Sequence, residues 1–567
     1  MSQTHKHILF LLALGAVFFF PFLGNVHLFD WDEINFAESA REMIETNDYF
    51  RVQINYEPFW EKPPFFFWLQ VLSMKLFGVN EFAARFPNAL LGVISLITLY
   101  GIGTKLISRK FGFIWSLLYF ASFLPHMYFK SGIIDPFFNF FIFLSLFFLI
   151  LTIEKPTNKK TNSLVAGSFI GLAIITKGPV GLLLLILTLI IYLVYKKGKA
   201  NIQPITVFLF FISSLGVTFL WFGYETITNS PWFILEFIQY QIELLTEPVA
   251  GHKQPFYYHF VVVLLGCFPM SILAIPMFYK KKSNVPHQFL LWMKILFWVV
   301  MILFTIVETK IVHYSSMSYL PLSFLAASYV YFYSDLLKNS LDFKITRIAF
   351  LIIGLVFGIL LTLVPILFKN HHWITPYLKD EFAVASFLHP INWQGWEFVF
   401  GLVFIAGLFV ALTYFNRKKN TKFLISLAFS SGITLLGYSL FIVPKIEEFS
   451  QGPAIEFYES LENKDVYVTT IGFKSYGHYF YTKMSPRDPK DGIQLVKQAY
   501  KESLKTPKEY NPMVVNSLTN EWLLKGNIDK DVYLVTKITK REEMKQYTDI
   551  RFLRNKGGFD FYLRPKK

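Results

Sequence analysis

The sequence predicts a mainly α-helical, polytopic membrane protein of about thirteen transmembrane helices, with interfacial helices in its first outer loop and a soluble α/β domain at the C-terminus. Three observations predict it. Of 567 residues, 54% are hydrophobic and only 16% are charged, whereas soluble domains carry about a quarter charged residues. Apolar runs approaching the ~20 residues a bilayer span needs recur as far as residue 443. Beyond Pro444 they give way to alternating segments, Asp465–Ile471 and Asp531–Thr536, which read as strands.

The expected spans lie near residues 8–24, 84–105, 111–129, 133–153, 163–177, 179–195, 204–224, 257–279, 288–307, 314–334, 347–368, 395–415 and 422–443. The first run could pass for a secretory signal, but it lacks a small-x-small cleavage site and is read as a retained helix. The two runs meeting at Lys177-Gly178-Pro179 are short, and counting them as one would invert everything downstream. Positive charge decides the matter. With the N-terminus cytoplasmic, alternate loops hold clusters such as Lys105/Arg109/Lys110, Lys155/Lys159/Lys160, Lys196/Lys197/Lys199 and Arg417/Lys418/Lys419/Lys422, while the opposite loops hold few. The positive-inside rule is obeyed only if 163–195 is two helices. The first loop and the C-terminal segment then share the outer face.

Residues 1–443 are therefore expected to form the membrane domain, 25–83 its first outer loop, and 444–567 a separate α/β domain of ordinary size. The 65 Phe and 30 Tyr suit lipid-facing helices and interfacial belts. The net charge of +15 does not indicate a nucleic-acid partner, because it falls in short clusters between apolar runs and forms no stripe. A lone Cys267 excludes an intrachain disulfide and a cysteine-based metal site.

The first loop is dense in carboxylates: Asp30, Asp32, Glu33, Glu38, Glu42 and Glu45. Ile34–Ile44 has helical spacing with Asp30 or Asp32 available as N-cap. Phe65–Phe77 is a second amphipathic run after Pro63 and Pro64, and 230–247 is a third in a later outer loop. All three are expected to lie in the interface plane, apolar side down.

Ionisable groups near membrane depth are costly and usually functional. On the expected outer side they are Asp32, Glu33, Glu61, Lys62, Asp135, Lys177, His252, Lys310 and His313, with Tyr314 beside the last. This pattern points to glycosyl transfer from a lipid phosphate. A carboxylate can take the proton of an attacking hydroxyl, and cations can stabilise the departing phosphate. Asp32 is the candidate base, with Glu33 beside it. Lys62 is the leading phosphate ligand, with Lys177, Lys310 and Tyr314 as further donors. Glu61, Asp135, His252 and His313 are expected to line the cavity. Each has a plainer reading: Asp32 as a helix cap, Lys62 as a snorkelling lysine, Lys177 as a helix-terminal charge, Asp135 as a helix start, and the histidines and tyrosine as interfacial residues. A divalent ion on Glu61 and His252 would have only two scattered ligands.

Asp32-Glu33-x-x-Phe36-Ala37-Glu38 followed by Trp60-Glu61-Lys62-Pro63-Pro64 resembles the first periplasmic loop of the aminoarabinose transferase / protein O-mannosyltransferase superfamily, membrane glycosyltransferases of the GT-C fold. Thr176-Lys177-Gly178-Pro179, His252-Lys253-x-Pro255-Phe256-Tyr257-Tyr258 and Thr309-Lys310-x-x-His313-Tyr314 extend the resemblance along the membrane domain. It implies that Asp32 is the catalytic aspartate, that Lys62 contacts a polyprenyl phosphate, that Glu61 and His252 line the cavity, and that the reaction inverts the anomeric carbon. Asn35-Phe36 and Phe59-Trp60 stand where aminoarabinose transferases tend to carry Arg-Tyr and a tyrosine. These departures bear on the sugar and the acceptor rather than on the reaction class.

The expected protein is a bacterial inner-membrane transferase acting on the periplasmic face. Its donor is a polyprenyl-phosphate-linked sugar such as undecaprenyl phosphate-aminoarabinose, and its preferred acceptor is lipid A or another envelope glycolipid. Protein O-glycosylation is second. No cofactor is required beyond the lipid-linked donor, and a divalent metal on Glu61 and His252 stays open. A flippase for a lipid-linked sugar is the rival from another class. It would place polar residues at mid-membrane in two pseudo-symmetric halves, a pattern this sequence lacks.

Overall fold

The computed structural model describes residues 2–229, 232–246, 254–280, 287–333, 340–504 and 512–566. Helix α1 (Gln3–Phe19) leads into the first loop, which carries α2 (Asp32–Thr46), a hairpin of β1 (Gln53–Ile54) and β2 (Glu57–Pro58), and α3 (Phe65–Phe77). There follow α4 (Glu81–Leu106), α5 (Arg109–Ala121), α6 (Phe123–Tyr128), α7 (Asp135–Glu154), α8 (Lys159–Lys177), α9 (Val180–Tyr195), α10 (Pro204–Asn229) and α11 (Trp232–Thr246). The membrane region continues through α12 (Tyr258–Gly266), α13 (Met270–Tyr279), α14 (His287–Ile306), a 3-10 turn (Val312–Ser318), α15 (Tyr319–Phe332), α16 (Leu341–Lys369), α17 (Glu381–Phe387), α18 (Val399–Asn416) and α19 (Asn420–Gly437).

Every expected span coincides with helix, but not every one with a single long helix. Among the described residues, seven helices are long and apolar enough to cross a membrane, or up to eight if α12 and α13, bent by 115°, are one span. The other expected spans fall on shorter or broken pieces, except 163–177, which falls on the 19-residue α8. The run at 111–129 breaks at Ser122, whose backbone is extended between α5 and α6. Gly178 and Pro179 do separate two helices: Gly178 has φ +111°, and a Cβ there would meet Phe237 Cζ at 2.7 Å. That turn needs a residue without a side chain.

The chain's C-terminal part contains α20 (Val443–Glu448), α21 (Gly452–Glu459), α22 (Gly477–Thr482), α23 (Gly492–Ser503), α24 (Pro512–Lys525) and α25 (Arg541–Met544) around a four-stranded sheet. Its strands are β3 (Tyr467–Ile471), β4 (Val532–Lys537), β5 (Arg551–Lys556) and β6 (Phe559–Arg564), in the order β3-β4-β6-β5. β3 and β4 are parallel; the other pairs are antiparallel. β3 and β4 are the two strands the alternation predicts. The β5–β6 hairpin turns on Gly557 and Gly558, both at positive φ, the conformation a two-residue hairpin turn requires.

The helices of the membrane region share one apolar core. A second core joins the first loop to the C-terminal part, with Ile34, Phe36, Ala37, Phe66 and Phe67 in one cluster with Ile455, Phe457, Tyr458 and Phe561. This corrects the expectation for α2. An interfacial helix should leave its polar side wet, yet α2 is buried from Glu33 through Met43, because the C-terminal part covers it. Its charges are paired instead. Arg41 donates to Glu38 from Nε and Nη2, both at 2.7 Å, and to the Met484 carbonyl at 3.0 Å.

Candidate active site

A cavity of about 830 Å³ opens where the first loop, the ends of α7, α8, α9 and α14, the 3-10 turn and the C-terminal part meet. Its wall carries charged and titratable side chains, Asp32, Glu61, Lys62, Asp135, Lys177 and His313, together with apolar ones, Val180, Leu183 and Leu184 of α9 and Phe304 and Val307 from the end of α14. Among the described residues, the sequence-predicted groups thus converge on one chamber, with one exception.

Asp32 is the first residue of α2. It caps nothing: the N-cap position is Trp31, without a side-chain cap. Its side chain is 42% exposed, and Oδ2 lies 3.7 Å from His313 Nε2. Asp30 does not cap α2 either; both its carboxylate oxygens accept the Tyr476 backbone N–H at 3.2 Å. Glu33 lines the same chamber but is fully engaged. It accepts from Arg85 Nε and Nη2 at 3.0 and 2.7 Å, from the Phe29 N–H at 3.0 Å and from the Gly132 N–H at 2.5 Å. Burial alone would raise its pKa, but the Arg85 charge and these hydrogen bonds outweigh burial and hold it below the usual carboxylate range. Both oxygens of Glu33 are thus occupied, and they tie the first loop to α4 and to the Gly132 backbone.

Asp135 and Lys177 form a short ion pair, Nζ to Oδ1 2.6 Å. Asp135 both starts α7 and orients the cation at the end of α8. The same ammonium stands 5.3 Å from the Tyr314 ring centroid and 5.9 Å from that of Phe138. Lys62 lies over the Tyr240 ring at 5.3 Å, and Tyr240 donates its hydroxyl to Glu61 Oε2 at 3.0 Å. Burial lowers the Lys62 pKa, with Lys177 adding to this; Glu61, Asp32 and Asp135 oppose it without reversing it. His313 is likewise held below 6.5: burial and the cations Lys177 and Lys62 outweigh Asp135 and Asp32. It is therefore a neutral imidazole at neutral pH.

Lys310 is the exception. It is buried, donates to the Val307 carbonyl at 2.8 Å, and is absent from the chamber wall. His313 and Tyr314 belong to the 3-10 turn and stand in the chamber wall, whereas Lys310, two residues before that turn, does not. His252 lies outside the described residues, so a metal on Glu61 and His252 finds no further support. Among the described residues, one other group of three could hold an ion: His27, Glu81 and Glu459, with ligand atoms within 4.8 Å of one another, outside the chamber wall. Its imidazole is already paired with Glu447 at 3.1 Å and Glu459 at 3.6 Å.

Sequence reasoning missed four participants. Arg85, at the start of an apolar span, had a readable signal, since a charge there demands a partner. Tyr240, Lys474 and Tyr476 had none. The last two come from the C-terminal part, and only folding brings them into the chamber wall.

Residues 61–222 match the family model described as dolichyl-phosphate-mannose-protein mannosyltransferase. The chain is 28% identical to the undecaprenyl phosphate-alpha-4-amino-4-deoxy-L-arabinose arabinosyl transferase of Wigglesworthia glossinidia brevipalpis, over 57% of this chain and 58% of that one. It is 25% identical to an enzyme of that name, numbered 1, from Proteus mirabilis, over 83% of this chain and 82% of that one. Its fold matches the crystal structure of ArnT from Cupriavidus metallidurans bound to undecaprenyl phosphate, with TM-score 0.76, 18% identity, and 99% and 98% of the two chains covered. These likenesses converge on one superfamily, the GT-C membrane glycosyltransferases that include the aminoarabinose transferases and protein O-mannosyltransferases, and the chain has that superfamily's fold.

Proposed function

We propose that the chain is an integral membrane glycosyltransferase that moves a sugar, aminoarabinose-like or a hexose, from a polyprenyl-phosphate donor to lipid A or another envelope lipid on the periplasmic face. The observation that carries this is the chamber, whose wall joins apolar side chains of α9 and α14 to the cations Lys62 and Lys177. In this reading an isoprenoid chain packs against the former and its phosphate sits between the two lysines. Asp32, half-exposed in the same wall, faces the sugar.

In the step itself, an acceptor oxygen attacks the anomeric carbon and passes its proton to Asp32. The bond from that carbon to the phosphate oxygen breaks, and the polyprenyl phosphate leaves as an anion held by the two lysines. One displacement inverts the carbon. The burial that lowers the Lys62 pKa also strengthens its attraction for a phosphate, since charges interact more strongly away from water. Relatives named as arabinosyl transferases from undecaprenyl phosphate support this donor class. The family model over residues 61–222, named for a protein mannosyltransferase, keeps a protein acceptor as the second reading.

The test is mass spectrometry of envelope lipids from cells with the active protein, without it, and with Asp32→Asn. A sugar-sized mass missing from lipid A in both the null and the variant supports the reading and names sugar and acceptor together. Unchanged lipids with a vanished protein glycan move the acceptor to protein. No change in either contradicts the reading.

A further inference from the structure

The chamber holds a third cation, which the donor phosphate does not use. Lys474 lies in the loop between β3 and α22 and stands in the chamber wall. Its ammonium is 5.0 Å from the Trp31 ring centroid and 5.1 Å from that of Tyr476, so two aromatic faces fix its position. The loop is pinned to the first loop on both sides of it. Trp31 donates Nε1–H to the Lys474 carbonyl at 3.2 Å, and the Tyr476 N–H binds Asp30. Lys474 is exposed, and among the described residues it forms no salt bridge. A long cationic side chain is held in place at a chamber mouth while its charge is left for something else.

The placement suggests what that is. The charges of Lys62 and Lys177 act on each other and on His313. Lys474 stands instead beside Asp30, whose pKa burial raises while Ser475, the Tyr476 N–H and Lys474 oppose that rise without reversing it. A ligand entering there meets two carboxylates, Asp30 and Asp32, which would repel an anion. A cation fixed at that mouth removes the barrier for an anionic ligand and is of no use to a neutral one. We propose that Lys474 is the specificity-determining residue for the acceptor, binding a phosphate of an acceptor lipid while Lys62 and Lys177 hold the donor's phosphate. This rests on the transferase reading above. It gives the C-terminal part a role in acceptor selection, contributed through one loop.

The test uses the purified full-length protein and three probes: undecaprenyl phosphate, bis-phosphorylated lipid A, and the same lipid A dephosphorylated. The wild type is expected to bind the phosphorylated lipid A about tenfold more tightly than the dephosphorylated form, the effect of one charge-assisted hydrogen bond. Lys474→Gln should abolish that preference, Lys474→Arg should retain most of it, and both should bind undecaprenyl phosphate as the wild type does. Weakened undecaprenyl phosphate binding by Lys474→Gln would overturn the proposal by placing the residue on the donor side. Equal binding of the two lipid A forms by the wild type would overturn the acceptor assignment and leave the transferase reading intact. Failure of the wild type to bind undecaprenyl phosphate would overturn that reading and this proposal with it.

Discussion

Asp32 Oδ2 stands 3.7 Å from His313 Nε2, too far for a hydrogen bond but close enough for the protonation of one to govern the other. Burial, with the cations Lys177 and Lys62, holds the His313 pKa below 6.5, so the imidazole beside Asp32 is neutral near pH 7. Acidification protonates His313 and places a cation beside the Asp32 carboxylate.

The acid limb of the transfer rate should accordingly lie below pH 6.5, the ordinary histidine value, and His313→Gln should move it lower still. The check is a pH–rate profile of both proteins at saturating donor. A limb that stays in place in the variant would mean that His313 does not act on Asp32.

Glu33 and Arg85 predict a stability effect rather than a catalytic one. Both side chains are nearly inaccessible, at 6% and 5% exposure, and Arg85 also donates to the carbonyls of Leu23, Val26 and His27. Arg85→Met leaves a buried carboxylate without its counter-charge, a change that costs roughly 3–5 kcal/mol. Thermal unfolding in detergent should show a large drop for Arg85→Met. Restoration of much of that loss in the double variant Arg85→Met/Glu33→Gln would identify the unpaired charge as its cause.

How much of this was legible in the sequence depends on how far apart the partners lie. Helical pattern located α3 at Phe65–Phe77 and the two strands β3 and β4, because periodicity is a local property. The motifs around Asp32, Lys62, Lys177 and His313 pointed to one chamber, because charge near membrane depth is conspicuous. The exact roles depended on three-dimensional neighbours. Glu33 and Asp32 are adjacent and chemically alike, and only the presence of Arg85 and the Gly132 N–H beside Glu33 separates the fully engaged carboxylate from the half-exposed one. Lys310 and His313 are three residues apart, yet only His313, inside the 3-10 turn, stands in the chamber wall. The cover over α2 comes from residues beyond 444, whose approach no spacing could announce.

His27 provides the pH dependence of that cover. Burial alone would lower its pKa, but hydrogen bonds and charge from Glu447 and Glu459 outweigh burial and raise it from 6.5 to about 10. A raised histidine pKa contributes stability in full below the unfolded value of 6.5, and the contribution shrinks as pH rises toward about 10, where it is gone. The melting temperature should therefore fall between pH 7 and 10 by more in the wild type than in His27→Gln. Parallel curves would show that the pairing contributes nothing to holding the first loop against α20 and α21.

The Asp135–Lys177 pair makes a prediction about positioning. Asp135→Asn removes the negative charge that fixes the Lys177 ammonium without removing the cation. Undecaprenyl phosphate binding should weaken by no more than about threefold, whereas Lys177→Met should lose about tenfold, the worth of a charge-assisted bond to phosphate. Titration of the purified variants with undecaprenyl phosphate measures both. Equal losses would mean that orientation matters as much as charge.

The central claim is that Asp32 performs proton transfer in a chamber whose lysines hold the donor, and one paired measurement tests it most directly. Transfer rate and undecaprenyl phosphate affinity are measured on the same purified samples of the wild type, Asp32→Asn and Lys62→Met. General-base catalysis contributes about 10²–10⁴-fold, so Asp32→Asn should lose at least about a hundredfold in rate while binding undecaprenyl phosphate normally, and Lys62→Met should lose affinity. An Asp32→Asn protein that transfers sugar at the wild-type rate, with its affinity unchanged, would contradict the account.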